Sequence, residues 1–196
     1  MQITQVSTDL GDPGAPGWSA IASEDVSLAP VPIDSQPTEY IRTKWANLPY
    51  GNVSRVKMAA AHDGVTAWVR LEWSATVAER NEFPDGAGLY CPNGEGAPAA
   101  TIGSAEAPVD LVVWHAGRGA RALRATGPGC FRPREDGAVA QAVQPAPGRW
   151  SVVFAQQLDS VRAAGRIGVV VWDGAGEERA GIGAATPDWL EVTIGS

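Results

Sequence analysis

Lysine is nearly missing from this chain of 196 residues, with Lys44 and Lys57 standing beside thirteen arginines. Histidine, cysteine and methionine are as sparse, at two each. The side chains that ligate metals or haem iron are therefore confined to a handful of positions. Cys91 and Cys130 form no C-x-x-C pair and are too few for a disulfide framework, so two free or buried thiols are expected. His62 and His115 have no metal-spaced partner, and no H-E-x-x-H, nucleophile elbow, P-loop or dinucleotide-binding glycine motif occurs. Nothing here supports autonomous catalysis. Excess positive charge is missing too: the net charge is -7. That leaves no electrostatic footprint for nucleic acid or anionic lipid. The densest basic cluster, Arg118, Arg121 and Arg124, has a spacing that predicts one solvated helix face. No apolar run approaches the ~20 residues of a membrane span. The opening "MQITQVSTDLGDPGAPG" lacks a basic and then apolar leader, so a soluble chain is expected, cytoplasmic unless a partner carries it out.

What is present is period-two patterning. In "NVSRVKMAAAHDGVTAWVRLEWS", residues 52–74, Val65, Ala67, Val69, Leu71 and Trp73 share one face, with Thr66, Trp68, Arg70 and Glu72 on the other. An Asp-Gly step between two such runs predicts a β-hairpin, with His62 facing solvent in the turn. Further strands are predicted at 86–91, 108–116, 149–158, 166–174 and 188–195, while 117–148 reads as a long excursion. Residues 1–35 are rich in Pro, Asp and Ser, so 1–50 reads as an extended arm and edge strand before a single sandwich over 51–196. Helical patterning is confined to "QQLDSVRAAG", ending at Gly165. Many short strands between Gly/Pro turns predict an all-β fold, an antiparallel β-sandwich of two sheets with few short helices.

Eight tryptophans is a high number, and Trp68, Trp73, Trp114, Trp150 and Trp172 all fall on predicted strands. Such residues fill sandwich interiors, or else form a stacking platform for a sugar or a wall for a flat cofactor. The adjacent Glu177 and Glu178, next to Arg179, read as a solvated turn, because neighbouring side chains diverge.

Several pieces, in order, resemble one family. They are "AAAHDGVTAWVRLEWS" (59–74), "FPDGAGLYCP" (83–92), "IGSAEAPVDLVVWHA" (102–116), "GRWSVVFAQQL" (148–158) and "VVVWDGAGEERAGIGAATPDWLEVTI" (169–194). Together the chain resembles the haem b-binding γ subunit of ethylbenzene dehydrogenase and its relatives, which include dimethylsulfide dehydrogenase and the chlorate and selenate reductases. The resemblance implies a non-catalytic subunit joined to a molybdopterin catalytic subunit and an iron–sulfur subunit. Haem iron in that family is held by a Met and a Lys. Those positions fall here on Ile102 and Gly183, neither of which offers iron a lone pair. The family frame around them is kept in Trp172 and in Glu178-Arg179-x-Gly181. His115 and Cys91 are the replacement ligands the resemblance leaves, with Trp114 and Trp172 as candidate cofactor walls. The expectation is a γ-like subunit that keeps its sandwich for assembly after losing its redox role. The competing reading is a stand-alone carbohydrate- or small-ligand-binding sandwich, similar to family 9 carbohydrate-binding modules and DOMON domains, in which an exposed Trp pair stacks a sugar.

Overall fold

The computed structural model describes residues 1–77, 82–135 and 139–195. The strands are β1 (Gln2–Gln5), β2 (Ser23–Ser27), β3 (Ala29–Pro30), β4 (Arg55–His62), β5 (Thr66–Ser74), β6 (Gly86–Pro92), β7 (Val109–His115) and β8 (Gly119–Ala125). They continue as β9 (Phe131–Pro133), β10 (Val139–Ala146), β11 (Arg149–Gln157), β12 (Arg166–Trp172), β13 (Ala184–Ala185), β14 (Leu190–Glu191) and β15 (Thr193–Ile194). Two short helices, α1 (Glu39–Trp45) and α2 (Leu158–Ala164), complete the set with three single 3-10 turns. The fold is all-β. One sheet runs β10-β11-β5-β4-β1-β15, with β2 also on β4; the other runs β3-β13-β12-β6-β7-β8-β9, with β14 also on β12.

The expected hairpin is β4–β5. Asp63 accepts from the Val65 and Thr66 amides at 2.8 Å, and Gly64 takes φ 99° in the turn. His62 is not in solvent. It is buried, its Nε2 lies 2.8 Å from the Gly195 carbonyl, and its Nδ1 accepts from the Gly64 amide at 3.1 Å. The Gly64 amide fixes the proton on Nε2. Helix α2 ends where expected, with Gly165 left-handed at φ 66° and its amide on Val161 O. Helix α1 has little hydrophobic period, but Thr38 caps it by accepting from the Ile41 amide. The 117–148 region holds β8, β9 and β10. Arg121 and Arg124 therefore lie on a strand, and Arg124 pairs with Asp110 of β7 at 2.9 Å.

Alternation along each strand divides the interior into three apolar clusters. The first lies between the sheets and includes Val69, Leu71, Trp73, Val112, Trp114, Phe154 and Val169. A second covers the outer face of the β5 sheet, where Leu10, Trp18 and Ile21 of the N-terminal segment close over Trp68 and Val153. The third lies on the outer face of the β12 sheet. There Tyr90, Leu111, Val113, Val170 and Trp172 pack under Val31 and Ile102, with Trp189 at the edge. That last layer is covered by two loops, 93–108 and 173–183.

Candidate functional site

Left-handed backbone marks the two covering loops. The described non-glycine residues with positive φ are Ile102 (53°), Glu177 (57°) and Ala180 (53°), all within them. A β-branched Ile there costs on the order of 1–2 kcal/mol and persists only because its surroundings over-determine it. The Ile102 amide bonds Ala99 O and the Gly103 amide bonds Pro98 O, both at 2.9 Å, while the Ile102 side chain is fully buried.

The 173–183 loop is fixed by carboxylates. Asp173 is fully buried; its Oδ2 accepts from Thr76 Oγ1 at 2.6 Å and from Asn52 Nδ2 at 3.1 Å. Glu178 is 1% exposed and accepts from the Asn52 amide at 2.8 Å and the Asp173 amide at 2.9 Å. Burial pushes the Glu178 carboxyl above its ordinary range, against those amides, with Asp173 adding to the rise. Asp85, at the start of β6, accepts from the Gly174 amide and from Trp150 Nε1, each at 2.8 Å. The expected solvated turn is thus half right: Glu177 is exposed, while Glu178 turns inward as a buried clamp. Nothing in the sequence distinguishes those two glutamates, because what separates them is the left-handed backbone at Glu177.

The candidate residues divide between the two faces of the β12 sheet. On the outer face, the His115 ring stacks on Trp172, with centroids 5.4 Å apart and planes at 25°. Trp172 is 1% exposed and donates from Nε1 to Ala180 O at 3.0 Å. Gly183 packs against that indole: a β-carbon there would lie 2.7 Å from Trp172 Cδ1 and 2.8 Å from Val171 O. Ile102 and Trp172 share one apolar cluster. Burial, aided by Arg118 and Arg121, lowers the pKa of His115. Arg179 lies over the Phe83 ring at 4.0 Å and donates to Glu177 O.

On the inner face, Trp114 meets Trp73 and Trp150 edge-on at 6.5 and 5.0 Å. Cys91 is also on that side and lines an open cleft of about 820 Å³ with Asp110, Arg134, Gln156 and Gln157. Burial and Asp110 push its thiol up to about 12, so the free thiol stays protonated at neutral pH. Both cysteines are free thiols. Among the described residues, no group of three or more His, Cys, Asp or Glu is arranged to hold a metal ion. No described helix is long and apolar enough to cross a membrane. Of the strand tryptophans, Trp68, Trp73, Trp114 and Trp172 are at least 94% buried and serve the core, while Trp150 is half-buried and lines an open cleft with Trp73.

No family model matches this chain. A curated protein of Haloferax mediterranei is 25% identical over 199 aligned positions, which span 93% of this chain and 68% of that protein. Its provisional designation is respiratory nitrate reductase heme subunit ORF7.

Proposed function

We propose that this chain is a non-catalytic accessory subunit of a respiratory oxidoreductase complex of the nitrate reductase kind. In this reading a molybdopterin subunit and an iron–sulfur subunit carry the substrate chemistry, and the sandwich is the element they assemble on. The observation that carries it is the relative designated as a heme subunit, whose likeness runs through 93% of this chain and so takes in both sheets and both covering loops. The arrangement of the site is consistent with that role. Its buried carboxylates each accept donors that fix a loop. Within this reading, the finer correspondence is with the γ subunits of the ethylbenzene dehydrogenase kind.

Haem is the cofactor that such a subunit implies, and the residues at the two mapped axial positions do not fit it. Ile102 ends in apolar carbon sealed in the core, and Gly183 has no side chain and no room for one. No electron-transfer step is therefore assigned to this chain. The test is capture of the full chain from its own cells under gentle conditions, with molybdenum and iron measured in the eluate. Both metals are expected, in proportion to the chain. A metal-free monomer that binds glycans would replace this reading with the sugar-binding one.

A further inference from the structure

We infer that the open edge of β10 is the docking site of a partner subunit, which adds an extended acidic segment to the sheet there and sets its carboxylates against Arg124 and Arg132. The inference rests on the accessory-subunit reading for who supplies the segment, and on the geometry for where it lies.

The two sheets of the sandwich end at different places. The β5 sheet stops at β10, which lies against β7 and β8 of the opposite sheet. That opposite sheet runs on through β8 to β9. Its margin therefore projects as a shelf. Arg124, Arg132, Arg134 and Glu135 line an open cleft of about 700 Å³ along it. A strand added beside β10, at the ~4.8 Å spacing of neighbouring strands, would lie over that shelf.

The edge itself is fit for pairing. Among the described residues β10 pairs with β11 alone, so every second residue turns its N–H and C=O outward. Edges of this kind are commonly guarded by a charge, often a lysine. Here "VAQAVQPAPG", residues 139–148, holds none, and Val139 and Val143 are 53% and 41% exposed. The guard comes late, in Pro145 and in the register shift between Val143 and Ala146, which end regular pairing. The usable edge is thus 139–143.

Charge decides what the added segment carries. Val109, Leu111, Leu123 and Ala125 belong to the outer layer, so the alternate positions Asp110, Arg124 and Arg132 face the shelf. Asp110 binds Arg124 and Arg134 at 2.9 Å, one on each oxygen. Arg132 stands directly opposite Arg124 in the β8–β9 register, a like-charge pair that costs stability where no anion joins it. Among the described residues Arg132 makes no ion pair, even with Glu135 nearby. An extended stretch with Asp or Glu at alternate positions supplies what is missing. Its backbone completes β10, and its carboxylates meet the guanidinium groups. A second copy of β10 would bring no carboxylate to them, since 139–148 contains none.

The test is capture of the full chain from its own cells, comparing the parent with Arg132→Glu, Val143→Glu and, as a control for charge reversal, Arg55→Glu on β4. All three side chains are exposed, so thermal unfolding is expected to stay close to the parent's. Arg132→Glu and Val143→Glu are expected to lower recovery of the metal-bearing partners on the order of tenfold, and Arg55→Glu to leave it unchanged. In the parent, the outward amides of 139–143 are expected to exchange with solvent more slowly in the complex than in the free chain. That comparison needs no variant, so it decides even where a substitution unfolds the chain. Full recovery with both edge variants, or unchanged exchange at β10 in a complex that keeps its partners, would overturn the edge and leave the accessory-subunit reading standing. A dimer of the free chain that Val143→Glu dissociates would also overturn it, because a second copy would then fill the edge. A parent captured without metal-bearing partners would overturn both.

Discussion

At the scale of single residues, environment decides what each rare side chain can do. Cys91 was visible as one of two cysteines, but its raised pKa comes from burial and the Asp110 carboxylate beside it. At pH 8 a thiol with a pKa of about 12 is ionised on the order of a thousandfold less than a free cysteine. Alkylation of the native chain followed by peptide mapping should therefore leave Cys91 unmodified, while the unfolded chain labels at both cysteines. His115 behaves in the opposite sense from a histidine that gains an acidic partner. Its folded pKa is lowered, so between that value and the ordinary ~6.5 the unfolded state binds more protons. Stability is then full above ~6.5 and is lost as pH falls through the window toward the folded value. Chemical denaturation at a series of pH values should show that loss, and His115→Gln should flatten it. The sequence placed His115 at a strand end next to Trp114; the stack on Trp172 depends on a register between strands far apart in the chain.

At the scale of elements, the 173–183 loop is the part least legible beforehand. Its frame of Trp, Asp, Gly, Glu and Arg was plain, and β12 follows from an apolar run, whereas β13 at Ala184–Ala185 lies outside the predicted strands. Its shape comes from Asn52, through both its amide and its side chain, and from the Asp85 carboxylate, which reach it from other parts of the chain, and no local pattern announces such contacts. The strands themselves were readable because period-two alternation is a local property. Those of the 117–148 region were not: β8 (GARALRA), β9 (FRP) and β10 (VAQAVQPA) show weak alternation, and β8 and β10 form strands because β7 and β11 offer edges to pair with. Gly183→Ala should cost about 1–3 kcal/mol, since the added carbon meets both the indole and a carbonyl in a filled layer. Thermal and chemical unfolding would show the loss. Trp150→Phe keeps the ring in the aromatic cluster but orphans Asp85 Oδ2, and should cost about 1–3 kcal/mol by the same measurement. Ile102→Met, which conserves volume and eases a β-branched residue in a left-handed turn, should stay within about 1.5 kcal/mol of the parent.

At the scale of the whole molecule, both outer faces of the sandwich are covered, one by the N-terminal segment and one by the two loops. The two-sheet architecture was legible from strand number and turn chemistry. The closed state of the β12 face was not, since it is a matter of packing between distant segments. A molecule with its interior spent on its own aromatics offers surfaces and edges, which suits assembly with partners that do the chemistry. The most direct measurement is native mass spectrometry of the assembly captured through this chain. The account predicts a hetero-oligomer containing a molybdopterin-bearing partner and an iron–sulfur partner, from which this chain is released at its bare polypeptide mass, without haem. A chain captured without such partners, or one that leaves the complex still carrying haem, would contradict it.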